Sequence, residues 1–277
     1  MDITTDGLVI REVLINDNDK LLTILTSEYG KISVMAKGVK GIKSKNASAV
    51  QIFCYSTFEL LKNGERYSLK TAQLKESFYE IRDNMLAFSL SAYVIDVVSA
   101  ICTENTDEND IFRLALNTLY ALSKLNEQNK PLWQIKGAFE LKVISLAGFM
   151  PDLEGCGACG AEAFDEEQKI AEGFFDERKR TSFYILEGSL LCNDCRKSEE
   201  LTEQRQHMLK LSEPTLRAMR YILSAPQNKY LAFRLSDNYA EEFSSSCEKF
   251  LLTQMERSFD TLEFFKNAFD DERKREG

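Results

Sequence analysis

The chain has 277 residues, too many for one typical domain and enough for two or three. A hydrophobic content of 44% and a charged content of 29% describe an ordinary soluble globular protein. The net charge of −9 argues against a uniformly basic nucleic-acid binder, so any polyanion site must come from the distribution of charge and not from its sum.

That distribution is uneven. Residues 1–82 hold 12 Lys/Arg against 10 Asp/Glu, a net of +2, while the rest of the chain carries −11. Between Lys31 and Lys45 there are five lysines and no acid, a local basic patch on an acidic protein. The start, Met1-Asp2-Ile3-Thr4-Thr5-Asp6, has no basic n-region and no apolar h-region, so no secretory signal is expected. Met85–Cys102 is apolar over eighteen positions with Asp96 as its one charge. Asp96 in hydrocarbon would cost roughly 2.5–3.5 kcal/mol, and Ser89, Ser91 and Ser99 dilute the stretch further, so a buried helix is expected and no membrane span.

Taken in order, residues 7–75 read as strands. Gly7–Ile15 is rich in β-branched residues, and Asn16-Asp17-Asn18-Asp19 is a turn by composition. Lys20–Thr26 and Lys31–Ala36 follow, separated by Glu28-Tyr29-Gly30. Gly38–Ala49 is polar, basic and glycine-containing, a long loop or a loop with a short helix. Ile52–Leu61 and Arg66–Leu74 are joined by the hairpin signal Asn63-Gly64. Five strands with two short turns and one long insertion fit a small closed barrel, of which the oligonucleotide-binding (OB) kind is the commonest.

Helical periodicity then takes over. Helices are expected at Asn84–Thr103, Asp107–Asn126 and Leu132–Leu146, the last with Pro131 at its start and Gly148 and Pro151 as stops. Leu201–Leu209 is short and polar. Ser212, Glu213 and Pro214 begin a helix to Leu223, Pro226 breaks it, and Asp237–Glu256 and Ser258–Phe269 follow. The charged end from Asp270 is expected to fray. The fold class is thus α+β and multidomain: an OB barrel at 1–80, a helical domain in two parts at 81–151 and 198–277, and a cysteine module inserted at 152–197.

That module carries the strongest motif. Cys156-Gly-Ala-Cys159 and Cys192-Asn-Asp-Cys195 are two C-x₂-C pairs, with thirty-two residues between Cys159 and Cys192. Two residues between cysteines let both thiolates of a knuckle face one ion, and two knuckles complete a tetrahedral S₄ site for structural Zn²⁺, one per chain. The spacer exceeds the usual ribbon range and so must hold structure of its own, expected as a short hairpin. Gly155, Gly157 and Gly160 supply backbone freedom around the first knuckle. Disulfides or buried structural cysteines are the alternatives. Cys54, Cys102 and Cys247 lie among apolar residues and read as buried thiols in a reducing cytoplasm.

Enzyme signatures are sparse. His207, the one histidine, has no acidic or cysteine partner at catalytic spacing and reads as solvent-exposed. Gly38-Val39-Lys40-Gly41-Ile42-Lys43-Ser44 looks faintly like a phosphate loop but has two residues between its glycines where four are needed, so no nucleotide cofactor is expected. A four-cysteine site leaves no open coordination position and is structural. Lys37, Lys40, Lys43 and Lys45 recur too irregularly for one helix face and suit a loop that follows phosphates; Arg11 and Lys31 could extend the patch. Tyr29, Tyr55 and Tyr67 could stack bases, although each taken singly fits core packing better. A solvated turn that keeps the barrel soluble is the other reading of the loop.

The combination resembles the RecO family of bacterial recombination mediators. The matching stretches are Gly7-Leu8-Val9-Ile10-Arg11, Asp19-Lys20-Leu21-Leu22-Thr23, Gly30-Lys31, Ala36-Lys37-Gly38, and Leu146-Ala147-Gly148-Phe149-Met150-Pro151-Asp152-Leu153 running into Cys156. The resemblance implies an OB barrel followed by a helical domain with a zinc module. It implies a non-enzymatic cytoplasmic protein that binds single- and double-stranded DNA, anneals complementary strands and acts at the nucleoid during repair. It also implies, as partners, RecR, the acidic C-terminal tail of the single-stranded DNA-binding protein SSB, and indirectly RecA, which such proteins help to load onto SSB-coated strands. Arg11, Lys31 and Lys37 fall on family-like positions, and Lys40, Lys43 and Lys45 in the basic loop that the family also carries. Two readings compete with this one: a zinc-stabilised protein–protein adaptor whose barrel does not bind DNA, and a nucleic-acid enzyme with a composite carboxylate site.

Overall fold

The computed structural model describes residues 1–41, 44–104, 106–125, 130–161, 180–192, 194–197 and 205–276. Their contacts divide into two units, Met1–Gln128 with Phe259–Gly277, and Asn129–Ser258.

The first unit begins with a closed five-stranded, OB-like barrel: β1 (Asp2–Leu14), β2 (Lys20–Thr26), β3 (Lys31–Ala36), β4 (Tyr55–Asn63) and β5 (Arg66–Glu76), in the order β1-β2-β3-β5-β4. β1 is long enough to serve two neighbours. Its Asp2–Leu8 half pairs with β4 and its Gly7–Leu14 half with β2. Gly7 sits where the halves overlap, and any Cβ there would strike the Ile24 side chain, as expected at a barrel corner. The short parallel pairing of β3 with β5, Val34↔Tyr67 and Met35↔Ser68, completes the ring. Val9, Leu22, Ile24, Val34, Phe58 and Leu60 fill the interior, each without solvent exposure.

The hairpin signal Asn63-Gly64 joins β4 to β5 with Gly64 at φ 60°. The fourth strand begins at Tyr55, three residues later than the alternation suggests. Phe53 takes φ 69°, and its buried ring packs edge-on against Phe88 at 5.5 Å. The strand pattern continues in the sequence because Phe53 is apolar for a different reason from Phe58.

After a 3-10 turn at Tyr79–Asp83 come α1 (Met85–Ile101) and α2 (Asn109–Ser123). Asn84 caps α1 by accepting the Ala87 N–H at 2.9 Å. α1 is buried on most sides, as its apolar run required, and no helix among the described residues is long and apolar enough to cross a membrane. The C-terminal helix of the chain, Asp260–Glu276, packs here as well. Tyr93 meets Phe259 edge-on at 5.7 Å, and Thr261 donates to Asp96 at 2.8 Å. This helix does not stop near Phe269. Asp260 and Glu263 in its first turn and Arg273, Lys274 and Arg275 in its last complement the helix dipole, so the charged end propagates the helix. Contact thus groups α1, α2 and the last helix with the barrel, where the sequence reading draws a boundary after residue 80.

The second unit is built on α3 (Leu132–Leu146), which is buried continuously from Gln134 to Ile144. α4 (Glu213–Ser224) and α5 (Asp237–Met255) pack on it, with the final helix being α6 (Asp260–Glu276) of the first unit. A four-stranded sheet completes the unit: β6 (Asp152–Cys156), β7 (Arg180–Tyr184), β8 (Ser189–Leu191) and β9 (Met208–Ser212), in the order β6-β8-β7-β9. β7 and β8 form the expected hairpin within the cysteine spacer, while residues 162–179 lie outside the described set. β9 was not expected, because the alternation of Met208-Leu209-Lys210-Leu211-Ser212 straddles a polar stretch and the start of a helix.

α3 and α5 approach so closely at Gly137 that an ideal Cβ there would lie 2.9 Å from the backbone Cα of Ser244 and 2.7 Å from the Phe243 ring. Helix propensity alone would reward Gly137→Ala by roughly 1 kcal/mol. Overpacking costs about 1–3 kcal/mol when backbone must shift. Gly137→Ala is therefore expected to lower the urea midpoint, and a raised midpoint would show that the helices can separate without cost.

Candidate metal centre and basic loop

The four motif cysteines converge. The sulfurs of Cys156, Cys159, Cys192 and Cys195 all lie within 4.8 Å of one another. Two turns bring them there. Cys156 ends β6, its N–H donates to Ala161 O at 2.7 Å, and the Gly160 N–H returns to Cys156 O at 2.7 Å with Gly160 at φ 74°. Gly157 donates to Leu190 O at 2.8 Å, and a Cβ there would press within 3.0 Å of the Ser189 side chain. The second turn follows β8, where the Arg196 N–H donates to Cys192 O at 3.1 Å.

The donor set fits a tetrahedral ion. Zn–S bonds of about 2.3 Å place sulfurs about 3.8 Å apart, and Cys159 and Cys192 stand at 3.8 Å. Backbone donors add the second layer such sites use: Cys192 N–H reaches Cys156 Sγ at 3.3 Å, and Cys195 N–H reaches Cys192 Sγ at 3.5 Å. Burial pulls the Cys156 thiol up, but the N–H groups of Cys192, Cys159 and Ala158 outweigh it and bring it down to about 6. Cys195 is pushed up to about 12, first by its contact with Cys159 and then by Cys192. Four sulfurs this close cannot all ionise unless a cation offsets their repulsion. Cys54, Cys102 and Cys247 behave differently. Each is buried, and burial raises each thiol, Cys102 to about 12.

The basic loop leaves β3 and folds back onto the β1–β2 turn. Asp19 Oδ1 accepts the Gly38 N–H at 2.7 Å, and Asn18 O accepts the Lys40 N–H at 3.2 Å. The Gly38 N–H and the Asn16 side chain hold the Asp19 carboxyl below its ordinary value. Lys37, Lys40 and Lys45 are exposed, and Lys43 lies outside the described residues. Arg11 is exposed on β1 just past a bulge, opposite Thr23. Lys31 is placed otherwise: its Nζ donates to Ser99 O at 2.8 Å near the end of α1, where a cation complements the helix dipole. Tyr29 packs against the barrel core, Tyr67 is buried in it, and Tyr55 meets Phe112 edge-on at 5.9 Å. What the sequence reading missed is Asp19. By composition it looked like one residue of a polar turn, and the signals for it were its place directly before a strand and its position at the head of the family-like stretch Asp19-Lys20-Leu21-Leu22-Thr23.

Comparison with known proteins decides the family. The profile described as Recombination protein O N terminal matches residues 1–78, and Recombination protein O C terminal matches residues 82–263. The chain belongs to the RecO family. Curated RecO relatives span it almost end to end. The DNA repair protein RecO of Acetivibrio thermocellus is 30% identical over 95% of each chain. That of Alkaliphilus metalliredigens is 27% identical over 96% of this chain and 99% of its own. That of Symbiobacterium thermophilum is 27% identical over 94% of each.

In this RecO-family chain, Cys156→Ser is expected to reduce bound metal from about one ion per chain toward none and to lower the melting temperature. Cys54→Ser, outside the cluster, should leave metal content unchanged. Elemental analysis of both variants checks this, and full occupancy in Cys156→Ser would remove that sulfur from the ligand set.

Proposed function

We propose that this chain is a non-enzymatic DNA repair and recombination mediator of the cytoplasm, acting at the nucleoid. In this reading it binds single- and double-stranded DNA, anneals complementary strands and, with RecR, helps load RecA onto strands coated by SSB, whose acidic tail it contacts. Zn²⁺ held by Cys156, Cys159, Cys192 and Cys195 stabilises the module at 152–197. Residues 1–80 form the DNA-binding part, with 81–151 and 198–277 as helical support.

The observation that carries the DNA reading is the pinned basic loop. A wholly free loop would lose conformational entropy on each encounter, whereas the Asp19 and Asn18 anchors keep Lys37 and Lys40 displayed at the end of the barrel. Exposed ammonium groups neutralise phosphates without reading bases. Annealing needs that combination, since repulsion between strands must fall while base edges stay free to pair. Arg11, Lys37, Lys40 and Lys45, with Lys43, form the track; the ammonium of Lys31 is engaged at Ser99 and is left out of it. The names and full-length match of the curated relatives support DNA repair as the setting.

The test is single-strand affinity against salt for wild type and a variant with Lys37, Lys40, Lys43 and Lys45 changed to Glu. Each lost phosphate contact flattens the log–log slope by about 0.7 on single strands, so the variant is expected to lose both affinity and about 2–3 units of slope. Equal binding by the two proteins would move the DNA site off the barrel. No salt-dependent binding by either would favour a zinc-stabilised adaptor whose barrel binds protein.

A further inference from the structure

β1, β2 and β3 share one outer face of the barrel, and a bulge decides what that face presents. Val9 belongs to the core and pairs with Ile24, and strict alternation would turn Arg11 and Val13 inward after it. The register shifts between Val9 and Arg11, so Ile10 is an extra residue and the side chains beyond it are reversed. Arg11 stands opposite Thr23 and Val13 opposite Leu21, on the side away from the core residues Leu22 and Ile24. β3 continues both rows, with Ser33 beside Thr23 and Met35 beside Leu21. Two cross-strand rows result: Arg11–Thr23–Ser33 and, next to it, Val13–Leu21–Met35.

The second row is aliphatic on all three strands and open to solvent. Val13 is 38% exposed, and Leu21 and Met35 are partly exposed. The other end of the same face is closed. There Leu8 and Leu25 pair without exposure, and Lys31 beside them bonds to Ser99 of α1. Charge rims the open row. Arg11 lies one row away on β1, and Lys37, where the basic loop begins, directly follows β3. Glu12 faces the opposite side of β1, where it meets Lys20 at 2.7 Å, and the acids Asp17 and Glu65 stand in turns outside the rows.

An aliphatic strip between two exposed cations, continuous with the basic loop, fits a polymer that carries flat apolar groups on an anionic backbone. We propose that the Val13–Leu21–Met35 row is a platform for the faces of unpaired bases, whose phosphates are held at Arg11 and Lys37, and that this row makes the barrel prefer single strands to duplex. The proposal rests on the DNA reading above and deepens it. A duplex stacks its base faces on one another and offers only edges and phosphates, whereas a single strand offers the faces. Contact through faces also leaves the pairing edges free, as annealing requires. Such contact releases no counterions, so it adds affinity without steepening the salt slope.

The experiment titrates the full-length protein against salt with three probes: oligo-dT, an abasic strand with the same number of phosphates, and a blunt duplex. Wild type is expected to bind oligo-dT about tenfold more tightly than the abasic strand, as for partial burial of two or three aliphatic side chains. Val13→Ser/Met35→Gln is expected to lose most of that preference, to keep the salt slope, and to bind the abasic strand and the duplex within about twofold of wild type. Val13→Thr, which keeps size and β-branching and so spares the fold, should lower the preference about threefold. Arg11→Gln should do the reverse, flattening the slope by about 0.7 on both single strands while the preference for bases persists.

An unchanged ratio of oligo-dT to abasic affinity in both row variants would overturn the platform and leave the basic-loop reading standing. So would a wild type that binds the two strands equally, or row variants that weaken on all three probes alike. Wild type that binds no probe would remove the DNA reading and this inference together. Dimerisation of wild type that the row variants abolish, with strand binding unchanged, would assign the row to a second copy of the chain, and the inference would fall.

Discussion

Four sulfurs held within 4.8 Å of one another are the constraint on which the second unit's sheet depends. Among the described residues, one apolar cluster of the module consists of Cys156, Tyr184 and Leu191, with Cys192, Cys195 and Met208 packed against them, so three of its six members are cysteines of the motif. β6 and β8 share only the register pairs Asp152↔Ser189 and Cys156↔Leu190, with an irregularity between them. A parallel pairing that short cannot offset the entropy of closing a loop of thirty-two residues, which grows with loop length. A cross-link that binds only the closed form adds its binding energy directly to folding. The opposite side of the hairpin is secured conventionally, by Phe183 against Phe250 at 5.2 Å. The sheet therefore has one wall set by packing and one set by sulfur.

The barrel solves a different problem, that of displaying positive charge on a protein with a net charge of −9. Several of its acids are drawn into local bonds. Glu12 meets Lys20 at 2.7 Å, Asp2 meets Lys70 at 2.6 Å, and Asp6 accepts from Thr57 at 2.7 Å and from Lys75 at 2.5 Å. Asp19, which meets the start of the basic loop, is turned toward the backbone N–H of Gly38. At such exposed sites each pair adds little stability. Their effect is on arrangement, since these carboxylates hold positions among neighbouring donors while Lys37, Lys40 and Lys45 remain exposed.

Much of this was legible in the residues because the signals were local and periodic. Alternation and Asn63-Gly64 placed the barrel strands, a long and largely apolar run placed α1, and paired C-x₂-C spacing placed the cysteine cluster. What could not be read depended on distant partners. β9 exists because Arg180–Tyr184 offers it an edge, and nothing within Met208–Ser212 announces that edge. The last helix runs to Glu276 because its charges are ordered along the dipole, a feature easily mistaken for a disordered charged tail. Lys31 sits in a basic run and is bonded sixty-eight residues away, at Ser99. A cavity lined by Ser182, Arg196, Lys197, Arg205, Met208 and Lys210 joins residues from three separated segments, so no window of sequence contains it.

Lysines in the second unit show why counting cations does not map a binding surface. Lys136 is fully buried in α3, with Glu140 at 2.8 Å, Glu248 at 2.7 Å and the Trp133 ring at 5.8 Å. Removing one member of such a cluster costs about 3–5 kcal/mol, because the others remain charged and buried. Lys142, two turns on, donates to Ile222 O and Ala225 O at 2.9 Å and to Leu223 O at 3.3 Å, closing the carbonyl end of α4 where Pro226 stops the helix. Both cations act inside the protein, one against carboxylates and one against a helix terminus. In sequence they are indistinguishable from lysines that meet solvent. Burial and acceptor geometry separate the two kinds: Lys136 and Lys142 are enclosed among acceptors, whereas Lys37, Lys40 and Lys45 of the barrel loop are exposed.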